Sequence, residues 1–244
     1  MIFWQQYRTN SDAEESVWRV ELGGNSAVVA ELDRRIANIR IGKSTYFLYP
    51  PEIIINMQIF LVGVSCVGKS TIGPKLAALL GLPFYDLDDE IERYFAMPIE
   101  RLQDKLGSMH SFRKKAAKAL KHLLDQQESW NSVIALPPSG LMESYGRLVK
   151  KSKGLVVVLT DDAETILDRI IFFDKDSRPI QKSLTRKERS YYLREIKKDI
   201  SYYNRSYKKA DVTVHLYGLK PDQAVVRVKV SLENHLRKMM IDVR

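Results

Sequence analysis

Residues 63–71 read Gly63, Val64, Ser65, Cys66, Val67, Gly68, Lys69, Ser70 and Thr71. This is a G-x-x-x-x-G-K-[ST] pattern, and it directly follows the apolar run Ile59, Phe60, Leu61, Val62. Each residue type has a physical task. Glycines permit backbone angles and a close approach that a side chain would block. Loop N–H groups turned inward meet phosphate oxygens, and a helix after the loop adds its positive N-terminus. Lys69 in such a loop reaches the β- and γ-phosphates of ATP, and the Ser70 hydroxyl ligates Mg2+. The pattern therefore predicts a phosphoryl-transfer site. Cys66 fills one of its variable positions, where a helix N-terminus would lower a thiol's pKa. Bound ATP should then shield Cys66 from alkylation.

Downstream, F-Y-D-L-D-D-E-I-E places Asp86 and Asp88 two residues apart at the end of a predicted strand. Side chains at that spacing share a side. Carboxylates at the carboxyl end of a parallel strand stand where open α/β sheets bind ligands. One can hold Mg2+ through water while the other takes an acceptor hydroxyl. Asp89, Glu90 and Glu92 read as a solvated helix start.

These residues need a scaffold. From residue 58 onward strands alternate with helices, the grammar of a parallel sheet covered on both faces. Strands are expected at 59–62, 84–85, 132–136, 155–160 and 212–216. Helical periodicity covers 70–80, 112–124, 163–170, 185–202 and 221–236. The polar, proline-interrupted stretch 173–184 reads as a mobile loop suited to a lid. Before it all, residues 1–56 read as a β-rich extension of unknown role, with β-prone runs at 17–20, 26–32, 36–41 and 46–49. Pro50-Pro51 breaks that pattern, so the kinase-like domain is expected at 57–244.

Composition narrows the setting. The 244 residues carry a net charge of +9 and are 45% hydrophobic. No apolar stretch reaches the ~20 residues a membrane helix needs. A single cysteine excludes an intrachain disulfide and fits a reducing cytoplasm. The basic excess gathers in 113–121 and 186–209, read as solvated helix faces. No aromatic-plus-basic nucleic-acid signature is present.

Taken together, the pieces resemble the shikimate kinase family over residues 58–236. The shared parts are the phosphate loop through Gly73, F-Y-D-L-D at 84–88, Phe112-Arg113, Arg178-Pro179-Ile180, A-D-V-T-V at 210–214, and Pro221 before the last helix. The resemblance implies an α/β P-loop kinase fold, ATP and Mg2+, and a small hydroxylated, anionic acceptor. It implies that Lys69, Asp88 and Arg178 are catalytic, Arg178 closing on the transferred phosphate. Ser70 and Asp86 would serve the metal, Asp88 the acceptor hydroxyls and Arg113 the acceptor carboxylate. Arg169 and Pro221 would sandwich adenine, although the Arg169-to-Arg178 spacing is longer than the family's.

Departures concentrate on the acceptor side. Pro137-Pro138-Ser139 stands where the family has a glycine triplet, removing two N–H donors. Ala116 replaces a glutamate that would orient Arg113, and the family's second carboxylate-binding arginine falls near Tyr203, with Arg205 out of register. Three readings stay open: a kinase for a different small acceptor, a kinase for shikimate through a rearranged pocket, or a nucleotide-binding regulator without transfer chemistry.

Overall fold

A computed structural model describes residues 57–241. The β-rich extension expected at 1–56 lies outside the described residues. The central run Ile59–Val62 (β1) is buried along its whole length, as is Val133–Ala135 (β3), and Leu155–Thr160 (β4) is buried up to its last residue. Such uninterrupted apolar stretches suit strands covered on both faces. With Phe84–Asp86 (β2) and Val212–His215 (β7) they form one parallel sheet in the order β2-β3-β1-β4-β7. The chain leaves β1 for the β2 side and later returns to place β4 against β1's other edge. The carboxyl end of β1 is thus the switch point at which such sheets receive ligands.

Helices connect the strands: Lys69–Leu80 (α1), Leu87–Phe95 (α2), Ile99–Leu106 (α3), Met109–Leu124 (α4), Glu143–Ser152 (α5), Ala163–Asp168 (α6), Arg186–Tyr207 (α7) and Pro221–Ile241 (α8). Helix α1 packs on α8, α4 on α2 and α5, and α6 on α7. Caps explain several boundaries. Ser108 accepts a hydrogen bond from the Ser111 N–H at the start of α4, and Thr185 with Glu188 forms a reciprocal capping box at α7. Helices α3 and α5 escape the sequence pattern. Each is short and amphipathic, and α5 carries Gly146 inside it.

The stretch expected as a mobile loop is partly ordered. Phe172–Phe173 (β5) and Pro179–Ile180 (β6) pair antiparallel. The turn between them is tied by Asp174, whose carboxylate accepts from the Asp176 and Arg178 N–H groups at 2.8 and 3.0 Å. The tip is also fastened to the helices beside it. The Ser177 hydroxyl lies within hydrogen-bonding distance of Glu92 on α2, at 2.8 Å, and of Glu100 on α3, donating its one proton between them, and Arg101 pairs with Asp176. Among the described residues no helix is long and apolar enough to cross a membrane.

Candidate active site

The phosphate loop joins β1 to α1. Gly63 has φ +153°, and a Cβ there would lie 2.5 Å from the Leu159 carbonyl oxygen of β4. Only glycine lets the loop lie this close to the neighbouring strand. Gly68, with φ +113°, caps α1 in a conformation that side chains rarely adopt. Val64, Ser65 and Val67 are buried, which packs the loop from beneath. Burial pushes the Cys66 thiol up, against the lowering by a backbone hydrogen bond at Ile171 and by Lys69, as suits a residue that only fills a variable position of the loop.

Lys69 is buried, and its Nζ donates to the Gly63 and Val64 carbonyls at 2.9 and 3.0 Å. The ammonium is therefore held across the mouth of its own loop. Burial pulls its pKa down to about 8, against the attraction of Asp86 and Asp88. Next to it, the Ser70 hydroxyl donates to Asp86 Oδ2 at 2.6 Å. Asp86 caps α2 by accepting from the Asp88 N–H at 3.1 Å. Burial pushes the Asp86 carboxyl up, opposed by its hydrogen bond from Ser70. Asp88 is raised further, by burial and by the Asp86 charge. A hydroxyl and a buried carboxylate meeting at 2.6 Å form the hard-oxygen donor set that Mg2+ takes.

Across from this end stands Arg113 on α4. Its side chain is only 12% exposed, and its guanidinium grips Glu143 of α5 with two bonds, Nη2 to Oε1 at 3.0 Å and Nε to Oε2 at 3.4 Å. His110 approaches the same carboxylate at 3.3 Å. Partial burial pushes Glu143 up, but Arg113 and His110 outweigh it and hold the carboxyl below its ordinary value. The partner missing at Ala116 is thus supplied from another helix, which corrects the expectation that Arg113 stands without an orienting carboxylate. Ala116 itself is fully buried.

Tyrosines complete this wall. Tyr203 and Tyr207 on α7 stack with ring centroids 5.9 Å apart, and the Tyr207 hydroxyl donates to the Pro138 carbonyl at 3.0 Å. Tyr203 is pushed up to about 12 by burial and by Asp199, with Arg113 opposing. Arg205 is exposed. Tyr145 on α5 is wholly buried, with no partner for its hydroxyl among the described residues. Such an orphan costs about 1–3 kcal/mol.

The residues expected beside the base also come together. Arg169 donates to Asp161 Oδ2 at 2.9 Å, and Asp161 Oδ1 accepts from the Gly218 N–H at 3.0 Å, three residues before Pro221. Arg169 also reaches the Val67 carbonyl at 3.4 Å, so it touches the phosphate loop. Arg178 is the residue that the structure leaves apart. It is exposed near the hairpin tip, and among the described residues its guanidinium pairs with none of the other site residues. Sequence reasoning missed Glu143, Asp161 and Tyr145. No motif marks them, and only the packing of α5 on α4 and the bonds at the end of β4 reveal them.

The shikimate kinase family profile matches residues 65–232. The chain belongs to the shikimate kinase family. A shikimate kinase from Aquifex aeolicus is 33% identical over 181 residues, 73% of this chain and 98% of the relative. The crystal structure of shikimate kinase from the same organism superposes with a TM-score of 0.56 at 31% identity, covering 74% of this chain and 98% of that one. Shikimate kinase from Acinetobacter baumannii, solved in complex with shikimate, matches with a TM-score of 0.58 at 26% identity over 78% of this chain and 98% of that one. As a member of the shikimate kinase family, the chain is a phosphotransferase that uses ATP and acts on a hydroxyl of a small molecule. Nothing favours the regulator without transfer chemistry.

Proposed function

We propose that the acceptor is a small carboxylated polyol, shikimate first among them, and that the phosphoryl donor is ATP with Mg2+. The observation that carries this reading is the two-bond Arg113–Glu143 pair on the acceptor side of the cleft. A guanidinium fixed in orientation by one carboxylate still has N–H groups for another, the planar recognition for which arginine is suited.

The remaining roles follow from position and charge. The 63–71 loop and Lys69 hold the phosphates, whose oxygens displace the Gly63 and Val64 carbonyls from the ammonium. Ser70 and Asp86 hold Mg2+, which when bound neutralises charge on the phosphate oxygens. Asp88 accepts the proton of the acceptor hydroxyl. A carboxyl raised from its ordinary value toward neutrality is better matched to that task than an exposed one. Arg178 reaches the transferred group from the hairpin, and Arg169 and Pro221 flank the base. A single cysteine and no membrane-crossing helix among the described residues fit a cytoplasmic enzyme.

A second reading, in which a different hydroxylated carboxylate is the acceptor, draws on Pro137-Pro138 and on Tyr203 in place of an arginine. Coupled ADP release decides between them. Saturable turnover of shikimate by the wild type, lost in Asp88→Asn, is expected. Turnover of another hydroxy acid without any on shikimate would move the assignment to the second reading.

A further inference from the structure

The Tyr145 ring has no exposed surface, yet among the described residues its hydroxyl has no hydrogen-bond partner. Native interiors retain few such groups, and each calls for an explanation. The surroundings supply one. Tyr145 lies in the first turn of α5, two residues after the Glu143 that clasps Arg113, and α5 packs along the helix that carries Arg113. The hydroxyl lies within electrostatic reach of both Asp88 and Arg113. Both groups assigned above to the acceptor, to its hydroxyl and to its carboxylate, are thus close enough for their charge to be felt at the phenol.

The rest of this wall is poor in donors. Pro137 and Pro138 have no N–H, and the Tyr207 hydroxyl is committed to the Pro138 carbonyl. We propose that the Tyr145 hydroxyl is a specificity-determining contact, hydrogen-bonding a hydroxyl or the carboxylate of the bound acceptor between Asp88 and Arg113. The proposal rests on the kinase reading of the site given above. Asp88 and Arg113 are each partly exposed, so an acceptor can reach both of them from solvent. A site that hydrogen-bonds a substrate group discriminates strongly against analogues lacking it, because its own polar group is then left buried and unpaired.

Tyr145→Phe keeps the ring and deletes only the hydroxyl. The test compares this variant with the full-length wild type in three measurements: the melting temperature without ligands, the KM for shikimate and the KM for ATP. The expected result is an unchanged or higher melting temperature, a shikimate KM raised about tenfold, and an unchanged ATP KM. An unchanged shikimate KM would overturn the proposal. So would a lower melting temperature without ligands, since the hydroxyl would then be bonded within the protein. If the wild type phosphorylates another hydroxy acid in place of shikimate, that compound becomes the probe and the same outcomes apply. A wild type that phosphorylates none removes the kinase reading and this contact with it. Turnover indifferent to Tyr145→Phe removes the contact alone.

Discussion

In the reading proposed above, nine consecutive residues, 63–71, make the phosphate end of the cleft, whereas the acceptor end draws Asp88 from α2, Arg113 from α4, Glu143 from α5 and Tyr203 from α7. The first end is local. Its geometry follows from two glycines and a helix start, so those residues cannot vary without losing it, whereas the positions between them can. The second end is a meeting of helices, and there one side chain can be exchanged for another on a different element. The Arg113–Glu143 pair illustrates this, because the carboxylate comes from 30 positions away in sequence and from a different helix than Ala116. A phosphate grip admits few solutions, while an acceptor wall admits many.

That contrast can be broken by experiment. The largest effect is expected from Asp88→Asn, which should lower kcat by about 10²–10⁴ while leaving ATP affinity intact. Equal losses of ATP binding and turnover would mean that Asp88 belongs to the phosphate end instead. A hundredfold or smaller effect is expected from pH. Lys69 loses its proton above about pH 8, and the charged form is the one that binds phosphate, so ATP affinity should fall as pH rises past that point. The slope should approach about tenfold per pH unit. In Lys69→Arg, whose guanidinium stays charged, the break near pH 8 should vanish; a break that persists would assign the titration to another group.

Smaller still, Glu143→Ala should raise the KM for shikimate about tenfold, the scale of one charge-assisted hydrogen bond. The KM for ATP should not move, and a matching rise there would show that the two ends are not separable. Finally, Cys66 should react slowly with alkylating agents, since burial raises its thiol. Excess ATP should slow labelling several-fold, whereas equal rates with and without ATP would count against phosphate in the loop.

The same contrast governs what the sequence reveals. The strands at 59–62 and 155–160 are continuous apolar runs of a kind that only a covered parallel sheet accommodates, and both appear where expected. The phosphate loop, Asp86 and Asp88 are legible for a related reason: their chemistry depends on short-range spacing. Glu143, Asp161 and Tyr145 are illegible because each acquires meaning from a partner on another element. The hairpin at 172–180 was obscured by its polar composition, since its order comes from Asp174 bonding its own turn rather than from apolar alternation.

Asp161 carries a consequence for the purine end. One shielded carboxylate receives Arg169 and the Gly218 N–H at once, so the two connections that would face a base are latched together in the folded protein. A nucleotide arriving there would meet walls already tied to each other, with less conformational freedom to surrender on association. Heat released by a purine docking at that clamp should therefore come from stacking and polar contacts, with less opposing entropy from loop ordering.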